Sequence, residues 1–274
     1  MPSIDPLQKN AVTVTGNQNA AITLMFINGF CTDQRVWTVI AKAFSDEFRL
    51  VFLDNVGTGR ALRECFIQSH YLDLNAYADD VLAICDAVDA QQVILVGHSV
   101  GSMIAVLAAN KKPSIISRLI LIGASPRYLN DADYFGGFTR QDLEEVYSAI
   151  SVDFDNWLDD FTKQAMGNLH KPSLARDFAE SIRTIPRDQI LTALYAIFQN
   201  DHRAAVKKLI QPTLLIQTRD DIFVPLAVAE YLHNVIGDSH LTIINTSGHL
   251  PHISAPLDVI AAIKSHWPGL SGCK

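Results

Sequence analysis

The residues best suited to do chemistry are a serine, an acid and a histidine, in that order along the chain. Ser99 is the centre of a Gly-His-Ser-Val-Gly pentapeptide at 97–101. A hydroxyl is a weak nucleophile until a base takes its proton, and an imidazole is an effective base when a carboxylate fixes its tautomer and stabilises its charged form. We therefore expect Ser99 to attack a carbonyl carbon, with a histidine and an acid elsewhere in the chain as partners.

The partner candidates each follow an apolar run that is typical of a strand. They are Asp221 and His249. The order serine, acid, histidine is the order that a triad takes when the serine lies between a strand and a helix. Two alternatives stay open, because Asp220 adjoins Asp221 and His252 lies close after His249; the turn at Gly248 favours His249.

Attack on a carbonyl also needs hydrogen-bond donors for the oxygen that becomes negative. The backbone N–H of Val100, at the start of the helix that follows Ser99, is one expected donor. The N–H of Phe30, in the loop after an early strand, is the second. The alternative is an ordinary turn before a helix that starts near Asp33.

These residues must be positioned by an alternation of strands and helices. Nearly all-apolar short runs predict strands that are covered on both faces of a parallel sheet. Such runs stand at 21–27, 50–53, 93–96, 119–122, 213–217 and 241–244. Segments with helical spacing lie between them at 36–44, 77–88, 227–235 and 257–267, and directly after Ser99.

The alternation stops between about 126 and 202. Amphipathic helical segments follow one another there, at 143–150, 154–165, 174–185 and 189–198. We expect residues 126–202 to form a helical cap over the carboxyl edge of the sheet, where doubly wound folds bind ligands. Residues 1–125 and 203–274 then form one α/β core.

Composition excludes several classes of function. The chain has 274 residues, 49% of them hydrophobic, and a net charge of −7. That charge disfavours nucleic acid or an anionic membrane as the main partner. With no apolar stretch near the roughly 20 residues of a membrane span and no secretion-signal pattern, we expect a cytoplasmic protein. We expect no metal or cofactor, and free thiols at the four cysteines, Cys31, Cys65, Cys85 and Cys273.

Five segments resemble one branch of the α/β-hydrolases. They lie at 30–37, 97–101, 125–131, 134–138 and 248–256. They are similar to the RsbQ-like family, which includes a bacterial sigma-B stress regulator and the plant karrikin and strigolactone receptors. The likeness covers nearly the whole chain. It implies an α/β-hydrolase fold, with a mostly parallel central sheet flanked by helices and an inserted V-shaped cap of four helices.

The resemblance also implies a deep apolar pocket that ends at the serine. By position in the matching segments, its lining would be Phe30, Tyr128, Phe138, Val146, Trp157, Phe161, Ile197, Phe198 and Phe223. Such a pocket suits a small, mostly hydrophobic ligand. Two positions depart from the family pattern: Asn28 stands where relatives commonly carry histidine or proline, and Cys31 where they usually carry glycine.

The triad residues and the resemblance together leave two functions open. The first is a serine hydrolase that cleaves a small hydrophobic ester, lactone or butenolide-like molecule through Ser99, His249 and Asp221. The second is a ligand-sensing signalling protein with slow or single-turnover hydrolysis, whose output is binding of a partner such as a PAS-domain phosphatase.

Overall fold

Seven strands form one sheet in the order β1-β3-β2-β4-β5-β6-β7. Every neighbouring pair is parallel except β1 with β3. This is a computed structural model, and it describes residues 4–266. The strands are β1 Thr13–Gly16, β2 Thr23–Ile27, β3 Arg49–Phe52, β4 Val93–His98, β5 Ile116–Ile122, β6 Thr213–Asp220 and β7 Ser239–Ser247.

The central strands are apolar because helices cover both of their faces. Every residue of β2 and of β4 is buried. Successive side chains of a strand point to opposite faces. Leu95 accordingly belongs to the hydrophobic cluster on one face and Ile94 to the cluster on the other. The predicted mostly parallel α/β sheet is confirmed.

Helices connect the strands and also form a separate group between β5 and β6. The α-helices are α1 Pro6–Lys9, α2 Thr38–Lys42, α3 Leu74–Ala87, α4 Val100–Lys111, α5 Arg140–Val152, α6 Phe154–Met166, α7 Pro172–Arg183, α8 Arg187–Gln199, α9 Arg203–Val206, α10 Leu226–Val235, α11 Pro251–Ser254 and α12 Pro256–His266. Short 3₁₀ turns span Gln34–Trp37 and Arg63–Cys65.

The inserted group α5–α8 is called the cap below. Its helices begin at clear signals: Thr139 forms a capping box with Asp142, Asp153 caps α6, and Pro172 occupies the first turn of α7. The apolar faces of the cap pack into one cluster with core residues such as Val224 and Leu250. That cluster joins the cap to the segments that follow β6 and β7.

The two ends of the insertion lie together. The His202 N–H donates to the Pro126 carbonyl at 2.8 Å. Arg203 forms ion pairs with Asp131 at 2.8 Å and with Asp201 at 2.6 Å. The cap therefore leaves and re-enters the core at one place.

The sequence missed one strand. Strand β1 pairs antiparallel with β3 at the sheet edge and is partly exposed, so its residues carry no continuous apolar run. The helix predicted at 36–44 is a 3₁₀ turn followed by α2.

Cys31, Cys65 and Cys85 are free thiols. Cys273 lies outside the described residues, as does the end of the helix that is predicted to reach 267. Among residues 4–266 the structure contains no helix that could span a membrane.

Candidate active site

Ser99 lies on a sharp turn between β4 and α4. Its backbone has φ +54° and ψ −122°, a conformation that a residue other than glycine rarely adopts. The turn is tight because α4 approaches β2: a Cβ at Gly101 would lie 2.5 Å from the Ile27 carbonyl oxygen. The side chain of Ser99 is thereby directed away from the sheet toward the cap.

The structure brings Ser99, His249 and Asp221 together in one chain of hydrogen bonds. Ser99 Oγ lies 2.8 Å from His249 Nε2. On the other side of the ring, His249 Nδ1 lies 2.7 Å from Asp221 Oδ2. A carboxylate can only accept, so Nδ1 carries the proton and Nε2 is free to accept the proton of the serine. This is the arrangement that general-base activation of a hydroxyl requires.

Asp221 is held in place by backbone and side-chain donors. Its Oδ1 accepts from the N–H groups of Phe223 at 2.9 Å and Val224 at 3.1 Å. Gln217 donates through Nε2 to Oδ2 at 3.2 Å. Sequence reasoning missed Gln217, although a buried polar residue inside an apolar strand, four before the acid, is a signal for such a role.

The structure places the two alternative residues elsewhere. Asp220 is exposed, and its backbone carbonyl accepts the N–H of Gly248 at 2.8 Å. His252 is buried between the rings of Trp37 and His98, with centroids 4.6 and 4.3 Å away. Neither is hydrogen-bonded to His249 or Ser99.

The two expected oxyanion donors flank the serine. Val100 is the first residue of α4, and Phe30 borders the cavity above Ser99. Neither N–H bonds to an acceptor within residues 4–266, so their role as oxyanion donors stays a prediction. The loop that carries Phe30 is anchored by the buried Asn28, which accepts from Trp37 Nε1 and donates to the Leu53 carbonyl, each at 2.8 Å.

Cys31 follows in the same loop. Its φ is +52°, in the left-handed region that favours glycine. Its thiol is buried among apolar side chains, and burial raises its pKa well above the ordinary value. A neutral thiol of this kind fills space and is unreactive.

An apolar cavity lies between Ser99 and the cap. Its volume is about 70 Å³, far below the roughly 300–1,000 Å³ of pockets for drug-sized ligands. Every predicted lining residue borders it, together with Leu194, which sequence reasoning missed. The cavity beside Ser99 is therefore small and apolar.

Tyr128 adds a polar group to this cavity. Its hydroxyl lies 3.3 Å from Ser99 Oγ. Burial raises the pKa of Tyr128, so the phenol stays protonated. Because the serine proton is directed to His249, the Tyr128 hydroxyl is the donor in this contact. The sequence predicts Tyr128 as a lining residue but not this hydrogen bond.

The buried His98 is hydrogen-bonded to the backbone of His249. His98 Nε2 lies 2.8 Å from the backbone carbonyl of His249, so Nε2 carries the proton and donates. Burial lowers the pKa of His98, and it lowers that of His252 to about 3. Both imidazoles are therefore neutral near pH 7.

Comparison with known proteins gives the family. The family model for the alpha/beta hydrolase fold matches residues 22–256. The chain belongs to the alpha/beta hydrolase family. Strigolactone esterase D14 of Arabidopsis thaliana is 37% identical over 246 residues, which are 89% of this chain and 92% of that protein. Karrikin insensitive 2 receptor CA of Petunia hybrida is 36% identical over 245 residues, 89% of this chain and 91% of the relative.

A solved structure agrees closely. The hydrolase olei00960 from Oleispira antarctica superimposes with a TM-score of 0.88 at 29% identity, covering 94% of this chain and 96% of that one. The predicted resemblance to karrikin and strigolactone receptors is thus confirmed at the level of sequence. Within residues 4–266 no group of three histidine, cysteine or acidic side chains is placed to hold a metal ion.

Proposed function

We propose that the chain hydrolyses small hydrophobic esters, lactones or butenolide-like molecules. Ser99, His249 and Asp221 carry the reaction. The observation that supports this most is the continuous pair of hydrogen bonds, 2.8 Å from Ser99 to His249 and 2.7 Å from His249 to Asp221. The relative named strigolactone esterase supports an ester substrate.

The reaction would follow from this geometry. His249 Nε2 takes the Ser99 proton as Oγ attacks the carbonyl carbon, and Asp221 stabilises the imidazolium that forms. The N–H groups of Phe30 and Val100 stabilise the negative oxygen of the tetrahedral intermediate. His249 then gives the proton to the leaving alkoxide, which leaves an acyl group on Ser99. Water, activated by the same imidazole, removes that group.

The cavity sets the preference for substrate. Its small volume and apolar lining favour a short uncharged acyl group. We propose that residues 126–202 act as the cap over a core of residues 1–125 and 203–274, so that a larger ligand requires the cap to move.

Cytoplasmic location stays a prediction from the sequence.

The test is steady-state hydrolysis of p-nitrophenyl esters of increasing acyl length. We expect kcat/KM to be highest for the acetate or butyrate and to fall for longer chains. Ser99→Ala should lower kcat/KM by about a thousandfold or more. A loss of only a few-fold in Ser99→Ala would refute the proposal.

A second candidate function is ligand sensing, with slow hydrolysis. It is supported by the relative that is named a karrikin insensitive 2 receptor. The expected partner, a PAS-domain phosphatase or similar signalling protein, stays a prediction from the resemblance. A ligand-dependent rise in melting temperature, with a partner that is captured only in the presence of ligand, would support it. Absence of any partner in a ligand-supplemented pull-down would count against it.

A further inference from the structure

We propose that Asn168, which follows the C-cap residue of cap helix α6, positions His249 through hydrogen bonds to the segment that precedes this histidine. The inference rests on the proposed function, because it assigns His249 the role of base. Asn168 does not border the cavity and is not hydrogen-bonded to Ser99. It is therefore a positioning residue and not a catalytic one.

The backbone of His249 is bound from two opposite sides. Its N–H donates to the Ala165 carbonyl in α6 at 2.7 Å. Its own carbonyl accepts from His98 Nε2 at 2.8 Å. Cap helix α6 and the last residue of β4 thus both bind His249. A displacement of α6 must therefore either move His249 or lengthen one of these two hydrogen bonds.

Asn168 fastens the preceding residues to the same helix end. Its side-chain amide donates to the Ser247 carbonyl at 2.6 Å, and its backbone N–H donates to the Ser247 hydroxyl at 3.1 Å. Asn168 has φ +39°, a left-handed conformation that asparagine tolerates better than most residues. The residue type, the backbone conformation and the two hydrogen bonds all favour a role for Asn168 in holding the segment that precedes His249.

The end of α6 and Gly248 are too close for a side chain to fit between them. Gly248 has φ +92°, and a Cβ there would lie 2.2 Å from the Met166 carbonyl oxygen. The end of α6 and the histidine loop are thus in direct backbone contact. Since a shift of about 1 Å in a reacting group can lower a rate by about a hundredfold, a small displacement here would reach the chemistry.

The cap also contains a matched control. Asn200 directly follows cap helix α8, and its side-chain amide donates to the Ala196 carbonyl of that helix and to the core carbonyl of Leu72. Asn168 does the same with Met166 and Ser247. Substitution of either asparagine by aspartate removes a side-chain Nδ2 donor that joins the end of a cap helix to the core. Only the segment bound by Asn168 adjoins His249.

The experiment compares Asn168→Asp with Asn200→Asp in hydrolysis of p-nitrophenyl acetate. We expect kcat to fall about tenfold or more in Asn168→Asp with KM changed by less than about twofold, and Asn200→Asp to stay within about twofold of wild type in both. We also expect the downfield ¹H resonance of the His249 Nδ1 proton to shift or broaden in Asn168→Asp alone. A merely structural role would not move that resonance selectively.

Ser99→Ala, measured in parallel, separates the two proposals. If Ser99→Ala keeps its activity, the proposed hydrolase function fails. If activity depends on Ser99 but the two aspartate variants differ by less than about twofold, or the resonance is unchanged while kcat falls, the positioning role of Asn168 is overturned on its own. Should Asn168→Asp not fold, Asn168→Gly, which suits φ +39°, is compared with Asn200→Gly by the same criteria.

Discussion

The interior of the sheet and the cavity under the cap are both apolar, but they are filled differently. Leu95 in β4 has no exposed surface. Phe161 in α6 is only half-buried, although its ring contacts Phe30, Trp157, Phe178 and Phe223. Packing is thus complete within the sheet and incomplete above Ser99. The incompletely packed apolar surface above Ser99 is open to a ligand. We therefore expect the sheet interior to determine stability and the cavity to determine activity.

The largest expected effect is a loss of activity at the cavity floor. Asp221→Asn should lower kcat/KM for p-nitrophenyl acetate by about 10³–10⁴-fold, because an amide favours the wrong tautomer of His249. The melting temperature should change little. Asp220→Asn is the matched control, since that adjacent side chain is exposed, and it should stay within about twofold of wild type. Equal losses in the two variants would contradict the assignment of the acid.

The next effect separates stability from substrate preference. Leu95→Ala should lower the free energy of unfolding by about 2–5 kcal/mol and leave KM unchanged. Phe161→Ala, which enlarges a space that already exists, should lower it by only about 1–2 kcal/mol. It should raise kcat/KM for longer acyl chains relative to acetate. Urea denaturation measures the free energy of unfolding, and a series of acyl lengths measures the substrate preference. A larger loss of stability in Phe161→Ala, with a changed acyl preference in Leu95→Ala, would contradict this distinction between sheet and cavity.

The smallest effect concerns pH. Burial lowers the pKa of His252 from 6.5 to about 3, so between these values the unfolded chain binds a proton that the folded chain does not. Stability contributed by this group is therefore complete above pH 6.5 and falls as the pH falls, by at most about 1.4 kcal/mol per unit. We expect the drop in melting temperature from about pH 7 to about pH 4.5 to be smaller in His252→Phe than in wild type. An equal drop in His252→Phe and in wild type would contradict this prediction.

The sequence predicted those parts of the molecule that depend on local pattern. A strand followed by Gly-His-Ser-Val-Gly and a helix predicts a tight turn at Ser99, because only glycine allows the approach of α4 to β2 that is seen at Gly101. The apolar runs predicted the parallel strands for the same local reason. The adjacent acids Asp220 and Asp221 could not be separated by local pattern; their backbone environment at the end of β6 exposes one and buries the other.

Other features depend on contacts between distant segments. Strand β1 exists because β3 pairs with it, and its partly exposed residues show no apolar run. Asn168 meets Ser247 across 79 positions of the chain, so nothing near Asn168 in the sequence indicates the contact. Likewise, the apolar residues of the cap helices predict an amphipathic face, but not that Leu194 borders the cavity.

The most direct test of the account is the site of covalent labelling. A fluorophosphonate reacts with a serine only when a neighbouring base activates it, so mass spectrometry of the digested protein identifies the activated hydroxyl. We predict one adduct per chain, on Ser99, that is lost in Ser99→Ala and His249→Ala and kept in Ser102→Ala, whose hydroxyl instead donates to the Gly97 carbonyl at 2.9 Å. An adduct on any other residue, or ester turnover by a protein whose Ser99 remains unlabelled, would contradict the account.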